Sequence, residues 1–577
     1  MDPRSAAHAL SQLAAYLELR GESRFRCRAY EKAARAIAAL DTDDLGELDR
    51  AGALAEVPGV GPAVLSVLRE LIENGESSYL ERVRADIPPG LLDLLRVPGL
   101  SSARIPALHE ELGIDSLESL ETAAIDGRLA KLKGFGPKTT QRILKGIGFL
   151  RAAGHRSLHH RGVVQARALL ASVRAHPDVQ HAELAGSVRR HGETIGDADI
   201  VAACRDPRTV AASFANASGV REVSGADTSS PRITYVDGAR LDLHCVSDAD
   251  FAVALWRATG SESHVRDVTE RLAARGYIVE GDTIHNDDGD VVAVPGEVEL
   301  YALAGLAYVP PEMRESIGEI MRAEAGAIPP LLDLSDIRGA IHCHSTWSDG
   351  KATIAEMARA ARERGWSYIG ITDHSQAAFY AGGLSPERVL AQHAEIDELN
   401  AASPDFRILK GVECDILADG QLDYDQSLLD RFDFVVASVH SRFSMDLVTM
   451  TDRVLRALDD PHLTVLGHPT GRLLLSRDAY AIDMHAVLEK AGAVRAAVEI
   501  NADPHRLDLD WRLIPEAHAH GVTLEIGPDA HSTGGLDNMG FGVGIARKGG
   551  VEARQVLNAW SVDDVLAFAR ARRGGSR

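Results

Sequence analysis

Across the last 240 or so residues, short apolar runs alternate with amphipathic stretches. AIHCHS, YIGITDHS, ILKGVECD, FVVASVHS, VLGHPT, AAVEIN and LEIGPDAHS read as strands, and segments such as IAEMARAARERG and SPERVLAQHAEIDELN read as helices. Strand then helix, repeated about seven times, predicts a β/α barrel, which gathers the C-terminal ends of its strands on one face. His342, His344, Asp349, His374, Glu413, His440, His468, Asp529 and His531 stand nearly all where an apolar run stops. Residues distant in sequence are therefore expected to converge there. One strand-end histidine is an ordinary structural residue, but nine imidazole and carboxylate groups exceed what one four-coordinate ion can use. The set predicts two or three ions (Zn, Mn or Fe) sharing a bridging carboxylate, and with them hydrolysis of a phosphate ester.

The segments Ile341–Gly350 (IHCHSTWSDG), Ile371–Ser375 (ITDHS), Gly411–Ile416 (GVECDI), Ser438–Phe443 (SVHSRF), Gly467–Pro469 (GHP) and Asp529–Ser532 (DAHS) resemble the ordered motifs of a PHP domain (polymerase and histidinol phosphatase). The resemblance implies a distorted seven-stranded barrel holding three metals, with all nine ligand positions filled here. Within the set, Glu413 is the best candidate for the bridging carboxylate.

Composition sets the wider frame. The chain of 577 residues has room for three or four domains, and 45% hydrophobic with 25% charged residues is ordinary globular composition. Its first residues are broken by charge, and no apolar run approaches a membrane span, so a cytoplasmic protein without a membrane partner is expected. Five scattered cysteines without a C-x-x-C pair predict free thiols in a reducing compartment. Cys343 and Cys414 adjoin proposed ligands, but their side chains are expected on the opposite face of their strands.

A net charge of −22 argues against nucleic acid until its distribution is followed. From Lys131 to Arg174 there are ten Lys and Arg residues and no Asp or Glu, and Arg24, Arg26, Arg28, Lys32 and Arg35 form a second basic cluster. Each cluster alone is an ordinary solvated face. Glycine turns give them a purpose: VPGVGP (57–62), VPGL (97–100) and KGFGPK (133–138) each precede a helical stretch. Such turns expose backbone N–H groups at a helix N-terminus and hold a phosphate, which predicts helix-hairpin-helix binding of DNA without sequence preference through Gly59, Gly61, Gly134, Gly136 and Lys138. In the middle copy Ser101 and Ser102 replace Gly-Pro, and no phosphate is expected there.

A third constellation is GSVRRHGETIGDADIV (186–201), followed by Arg240-Leu241-Asp242-Leu243. In a strand Asp197 and Asp199 share a face, and a neighbouring strand would bring Asp242 beside them. Three hard oxygen ligands suit two Mg²⁺ ions (or Mn²⁺) for in-line phosphoryl transfer to a 3′-hydroxyl. Ser187 and Arg190 are candidates for triphosphate oxygens. This block resembles the palm of an X-family DNA polymerase, and the whole chain resembles the bacterial members that append a PHP domain. The resemblance implies Asp197, Asp199 and Asp242 as catalytic metal ligands, Ser187 and Arg190 as nucleotide contacts, Arg240 as a primer contact, and Arg26 and Tyr30 as contacts on the 5′-phosphate side of a gap.

Departures cluster in the nucleotide pocket. The family's Tyr-Phe-x-Gly-Ser element is Arg257-Ala258-Thr259-Gly260-Ser261 here, so Gly260 and Ser261 keep their nucleotide-binding positions while the aromatic wall is absent. Val279 stands where the family often has an Asn reaching the base, and Val67 stands where lyase-active members carry a Schiff-base lysine.

The expected fold is multidomain α+β and α/β. It comprises a lyase-like helical domain with a helix-hairpin-helix (1–80), a fingers-like helix-hairpin-helix domain (81–150), a nucleotidyltransferase palm (151–247), a thumb (248–315), a linker (316–336) and the PHP barrel (337–577). The expected function is DNA repair synthesis at short gaps from dNTPs by a monomer, with metal-dependent 3′-to-5′ exonuclease or related phosphoesterase activity in the barrel. Two other readings stay open: a nuclease whose palm mainly binds DNA, and a DNA-binding scaffold whose barrel acts on a small phosphate ester.

Overall fold

The computed structural model describes residues 1–40, 42 and 44–574. They divide into two compact units: one of residues 1–157, 161–185 and 195–254, the other of 158–160, 186–194 and 255 onward. No helix among them is long and apolar enough to cross a membrane.

The first unit opens with the helix Pro3–Leu19, capped by the Asp2 carboxylate, which accepts from the Ser5 N–H at 2.9 Å. Leu10, Leu13 and Leu17 recur at helical spacing and bury the same face against Ala33 and Ile37 of the helix Arg24–Ala38. Three glycine turns follow, and all close the same backbone bond. Val60 N donates to Val57 O (3.0 Å), Leu100 N to Val97 O (3.1 Å) and Phe135 N to Leu132 O (3.1 Å). Gly59, Gly99 and Gly134 sit there at φ +99°, +86° and +92°, which L side chains rarely adopt. Pro62 and Pro137 then start the helices Pro62–Asn74 and Pro137–Ala153. The middle turn keeps its geometry and opens instead on a 3₁₀ turn, Ser102–Arg104.

Two arginines cross-link the second and third turns: Arg104 donates to Gly134 O at 3.2 Å and Arg142 to Gly99 O at 3.4 Å. This unit ends in a five-stranded mixed sheet ordered 179–184, 198–204, 240–246, 232–235, 220–224. Only the pair 198–204 and 240–246 is parallel, and its register sets Asp199 opposite Asp242.

In the second unit, the helix Glu262–Ala273 precedes a small antiparallel sheet of Ile278–Glu280, Thr283–His285 and Val291–Val292. Buried Glu297 takes two hydrogen bonds from Arg189, at 2.9 and 2.7 Å, and one from Arg314 at 2.5 Å. The stretch expected as a linker carries the helix Glu319–Glu324, because buried Glu319 accepts from Ser316 N and meets His264 Nδ1 at 2.7 Å.

The barrel strands are all parallel: Gly339–Ala340, Tyr368–Ile371, Arg407–Lys410 continuing as Glu413–Asp415, Val436–Ser438, Val465–Leu466, Ala497–Asn501 and Leu524–Gly527. The third strand breaks at Gly411, where a Cβ would meet Phe434 Cζ at 2.4 Å. Before the break it pairs with Tyr368–Ile371, and after it with Val436–Ser438 while Glu413 still bridges His374 beyond the second strand. A parallel bridge between Cys343 and Ala530 closes the ring. Ile341, Tyr368, Leu409, Phe434, Val436 and Val465 form one apolar cluster with Val565 of the last helix, while Cys343 and Cys414 pack in the larger barrel core with Ile369 and Ile371.

Burial opposes ionisation of Glu297, yet Arg189 and Arg314 hold its pKa at about 2 against an ordinary 4.5. Its contribution to stability is thus full above about pH 4.5 and lost as pH falls toward 2. Glu297→Gln is expected to cost roughly 3 kcal/mol at pH 7, by analogy with other broken buried pairs. Calorimetric Tm values of variant and parent are expected to converge as the medium is acidified below pH 4.5.

Candidate metal centres

Glu413, 1% exposed, is the hub of the barrel mouth. His342 Nε2 and His344 Nε2 lie 3.5 Å from its Oε2 and His374 Nδ1 lies 3.1 Å away, while His440 Nε2 and His468 Nε2 stand 3.1 and 3.0 Å from its Oε1. Asp529 Oδ1 approaches His344 Nε2 at 3.3 Å and His342 Nε2 at 3.7 Å, and Asp349 Oδ1 approaches His531 Nε2 at 3.3 Å and His374 Nε2 at 3.7 Å. Three groups draw ligand atoms close enough to hold an ion: His344, Asp349, His374 and His531; His342, His344 and Asp529; His374, Glu413 and His440. His344 and His374 are shared between groups, and His468 joins through Glu413. All nine residues singled out in the sequence meet in one place.

The donors fit divalent metal. His342 Nε2, both ring nitrogens of His344, and His374 Nδ1 are buried without a hydrogen-bond partner, a costly state that a metal would relieve. Electrostatics agree. Burial works against the charge on Glu413 and Asp529, but the surrounding imidazoles hold both carboxyls well below their usual range. Burial, with His344 and His440 nearby, pushes His374 down to about 4. His440 resists burial and rises to about 10 under the charges of Glu413 and Asp415. Asp529 holds φ at +48°, a left-handed backbone that Asp tolerates better than most side chains.

A second layer of residues, missed in the sequence, orients these ligands. Glu499 accepts from His342 Nδ1 at 2.5 Å and from the His468 backbone N–H, and Asn501 donates to Asp529 at 3.1 Å. Asp415 meets His440 Nδ1 at 2.8 Å. Asp373 accepts from Ser345 N at 2.8 Å and Gln392 Nε2 at 2.6 Å, which ties down the loop after His344. The signal was present, since Glu499 interrupts the apolar run AAVEIN, but only pairing across the barrel reveals its partner.

In the palm sheet, the register places Asp199 and Asp242 side by side on one face. Burial and then the Asp197 charge raise the Asp242 pKa, against the opposing charges of Arg232 and Arg240. Arg232, which sequence reading passed over, pairs with Asp242 at 3.1 Å from the adjacent strand.

Family models match at residues 1–77 (helix-hairpin-helix domain), 91–148 (SAM-like helix-hairpin-helix tandem), 254–315 (DNA polymerase beta thumb) and 340–501 (PHP domain). The chain is 38% identical over 575 residues to the DNA polymerase/3'-5' exonuclease PolX of Bacillus subtilis, covering 99% of this chain and 100% of that protein. The chain belongs to the PolX family. More distant similarity links it to proteins named probable phosphatases. That of Syntrophotalea carbinolica is 28% identical over 233 residues, 38% of this chain and 90% of its own length, and that of Thermoanaerobacter sp. is 29% identical over 235 residues, 38% and 88%.

Within this PolX-family chain, the expected nucleotide and DNA contacts lie in varied surroundings. Arg190 Nε pairs with Glu315 at 3.0 Å and its Nη1 donates to Thr259 O at 2.7 Å, while Lys548 bonds both Glu315 and the Arg190 carbonyl. Ser187 O accepts from Gly192 N at 2.7 Å. Ser261 caps the helix Glu262–Ala273 through His264 N at 3.2 Å, and a Cβ on Gly260 would meet Val265 at 2.9 Å. Arg257 is tied to Asp282 at 3.0 Å. Arg240 buries its Nε without a hydrogen-bond partner. Gly61, Gly134, Gly136 and Lys138 are exposed, whereas Gly59 is half-buried against Lys32. Arg26 is at the surface, bonded to Tyr79 Oη at 2.7 Å. Tyr30, 3% exposed, turns its ring into the helical core and offers DNA no surface. Val67 is buried in that core as well.

Mass-spectrometric metal analysis of gel-filtered protein is expected to find about two to three ions per barrel in the parent. Glu413→Ala is expected to retain less than about one, and Asp349→Ala about one fewer than the parent. Equal contents in all three proteins would show that these residues do not hold the metal.

Proposed function

We propose that this chain is a DNA-directed DNA polymerase acting at short gaps, with a metal-dependent 3′-to-5′ exonuclease in its barrel. The observation that carries the reading is the convergence of the nine barrel ligands in one mouth, with five of their histidines on Glu413, in a chain that matches a polymerase–exonuclease along its length. In the palm, Asp197, Asp199 and Asp242 would hold Mg²⁺ or Mn²⁺ while a primer 3′-hydroxyl attacks the α-phosphorus of a dNTP and pyrophosphate leaves. In the barrel, two or three Zn, Mn or Fe ions would acidify a water and neutralise phosphoryl oxygens. The chain's own residues orient the reaction. Asp415 and Glu499 fix the rings of His440 and His342, and the shared ligands His344 and His374 set the spacing between neighbouring groups. Addition of water breaks the terminal phosphodiester and releases a nucleoside monophosphate.

We assign DNA tracking to the exposed hairpin glycines and Lys138, and primer contact to Arg240. Triphosphate contact by Ser187 and Arg190 requires Arg190 to leave Glu315. The domain boundaries, the monomeric state and the cytoplasmic location belong to the same proposal.

One rival has a specific observation behind it. Arg257 bonded to Asp282, beside Ala258, leaves no aromatic wall for the sugar, which favours a nuclease whose palm mainly binds DNA. Mn²⁺-dependent extension and degradation of one gapped substrate separates the readings. Asp242→Ala is expected to abolish extension and spare degradation, and His344→Ala to do the reverse, each by at least about 100-fold. Equal background extension by Asp242→Ala and parent would establish the nuclease reading. Intact DNA alongside turnover of a simple phosphomonoester would point instead to the small-ester scaffold.

A further inference from the structure

Among the described residues, three aromatic side chains stand out as largely exposed: Phe25, Phe379 and Tyr380. Two of them are adjacent and lie on the loop that leaves the metal ligand His374. Phe379 is 84% exposed and Tyr380 63%, with ring centroids 6.0 Å apart and planes at 79°. Leaving two rings in water forgoes burial free energy, so a loop that fixes them there calls for an explanation.

The loop is held firmly. Leu384 N donates to His374 O at 2.9 Å, which closes it at the base. Ala377 N donates to Asp423 at 2.7 Å, Tyr424 Oη to Leu384 O at 2.5 Å, and Arg388 to Gly382 O at 2.9 Å. Gly383 lies so close to Ser375 that a Cβ would stand 2.0 Å from its carbonyl oxygen. Ala378 and Ala381, on either side of the rings, are buried. Small residues thus anchor the loop inward while the aromatic pair projects.

The pair also lies beside the metal site: a Cβ on Gly382, two residues past Tyr380, would stand 3.5 Å from the carbonyl oxygen of Ser348, the neighbour of the ligand Asp349. The Tyr380 hydroxyl is pushed up to about 12, by partial burial first and then by the charges of Asp415, Glu413 and Asp349, and Arg506 opposes that shift. Arg506 lies 3.8 Å from Asp529, so a cation borders the same mouth. A rigid exposed ring pair, a guanidinium and a cluster of metal ligands in one mouth match the parts of a single-stranded nucleotide: base, backbone phosphate and scissile phosphodiester. Stacking on a π-face accepts any base, which suits degradation without sequence preference.

We propose that Phe379 and Tyr380 form a stacking platform for the 3′-terminal bases of a single strand entering the barrel, and so determine how tightly that end is held. The proposal rests on the exonuclease reading of the same site. A paired terminal base is already stacked in its duplex, so the platform is offered to an unpaired end.

Steady-state degradation by the full, metal-loaded chain tests it with two single-stranded oligonucleotides, one ending in a normal 3′ nucleotide and one in a base-free tetrahydrofuran nucleotide. Phe379→Ala and Tyr380→Ala are expected to raise KM on the normal end by about 5- to 100-fold, leaving kcat within about twofold. Phe379→Trp restores KM, and on the base-free end parent and variants share one weak KM. Unchanged KM on the normal end, or an equal rise on both ends, overturns stacking. A parallel fall of kcat on both substrates also overturns it and makes the loop a support for His374. If the unmutated chain leaves both oligonucleotides intact, the exonuclease reading fails and takes the platform with it; degradation with unaltered variants sinks the platform alone.

Discussion

Five imidazole nitrogens lie within 3.5 Å of the oxygens of Glu413, a carboxylate 1% exposed, and a charge buried that deeply persists only where positive charge meets it. The barrel is arranged around that requirement. The third strand breaks at Gly411, two residues before Glu413, and Glu413 then pairs with His374 on one side and Val436 on the other, which sets the carboxylate in the mouth. The Cys343–Ala530 bridge closes the ring between ligand-bearing segments and brings His342 and His344 to Asp529. Behind the ligands, Glu499 and Asp415 bind ring nitrogens and fix which nitrogen of His342 and His440 faces inward.

The palm answers the same electrostatic problem by other means. Its aspartates sit on the polar face of a strand pair, with Asp242 raised by burial and by Asp197, and Arg232 supplies a nearby countercharge. Histidine-rich surroundings suit ions held permanently, whereas an all-oxygen set suits a hard cation that arrives with its nucleotide. On the proposed reading, one chain would combine two phosphate chemistries with different metal demands. The salt links of Arg189 and Arg190 to Glu297 and Glu315, and of Lys548 to Glu315, fasten the segment after Gly186 to the thumb and to the barrel within the second unit.

Much of this was legible in the sequence because the informative residues are chemically rare and periodically placed. Strand-end His and Asp residues converge by the rule that parallel barrels align their strand ends. Alternation along a strand predicts Asp197 and Asp199 on one face, but Asp197 lies in a bend just before the strand Ala198–Cys204 that carries Asp199. Long-range pairing was not legible. Neither the Arg104 and Arg142 bonds to the opposite hairpin carbonyls nor the capture of Arg190 by Glu315 leaves a local trace. Tyr30 is expected as a DNA contact from the resemblance of its segment to the one that holds the 5′-phosphate side of a gap, yet helical spacing places it with Ala33, Ala34 and Ile37 on the buried face. The middle hairpin read as degenerate in Ser101 and Ser102, while its turn depends on Gly99, which is intact.

The central claim is that Glu413 gathers the metals of the barrel. Anomalous diffraction from crystals of the full chain, collected at the absorption edges of Mn, Fe and Zn, tests it most directly. The account predicts two or three peaks inside the mouth, at least two of them sharing Glu413 as a common ligand. A single peak, or peaks whose ligands exclude Glu413, would contradict it.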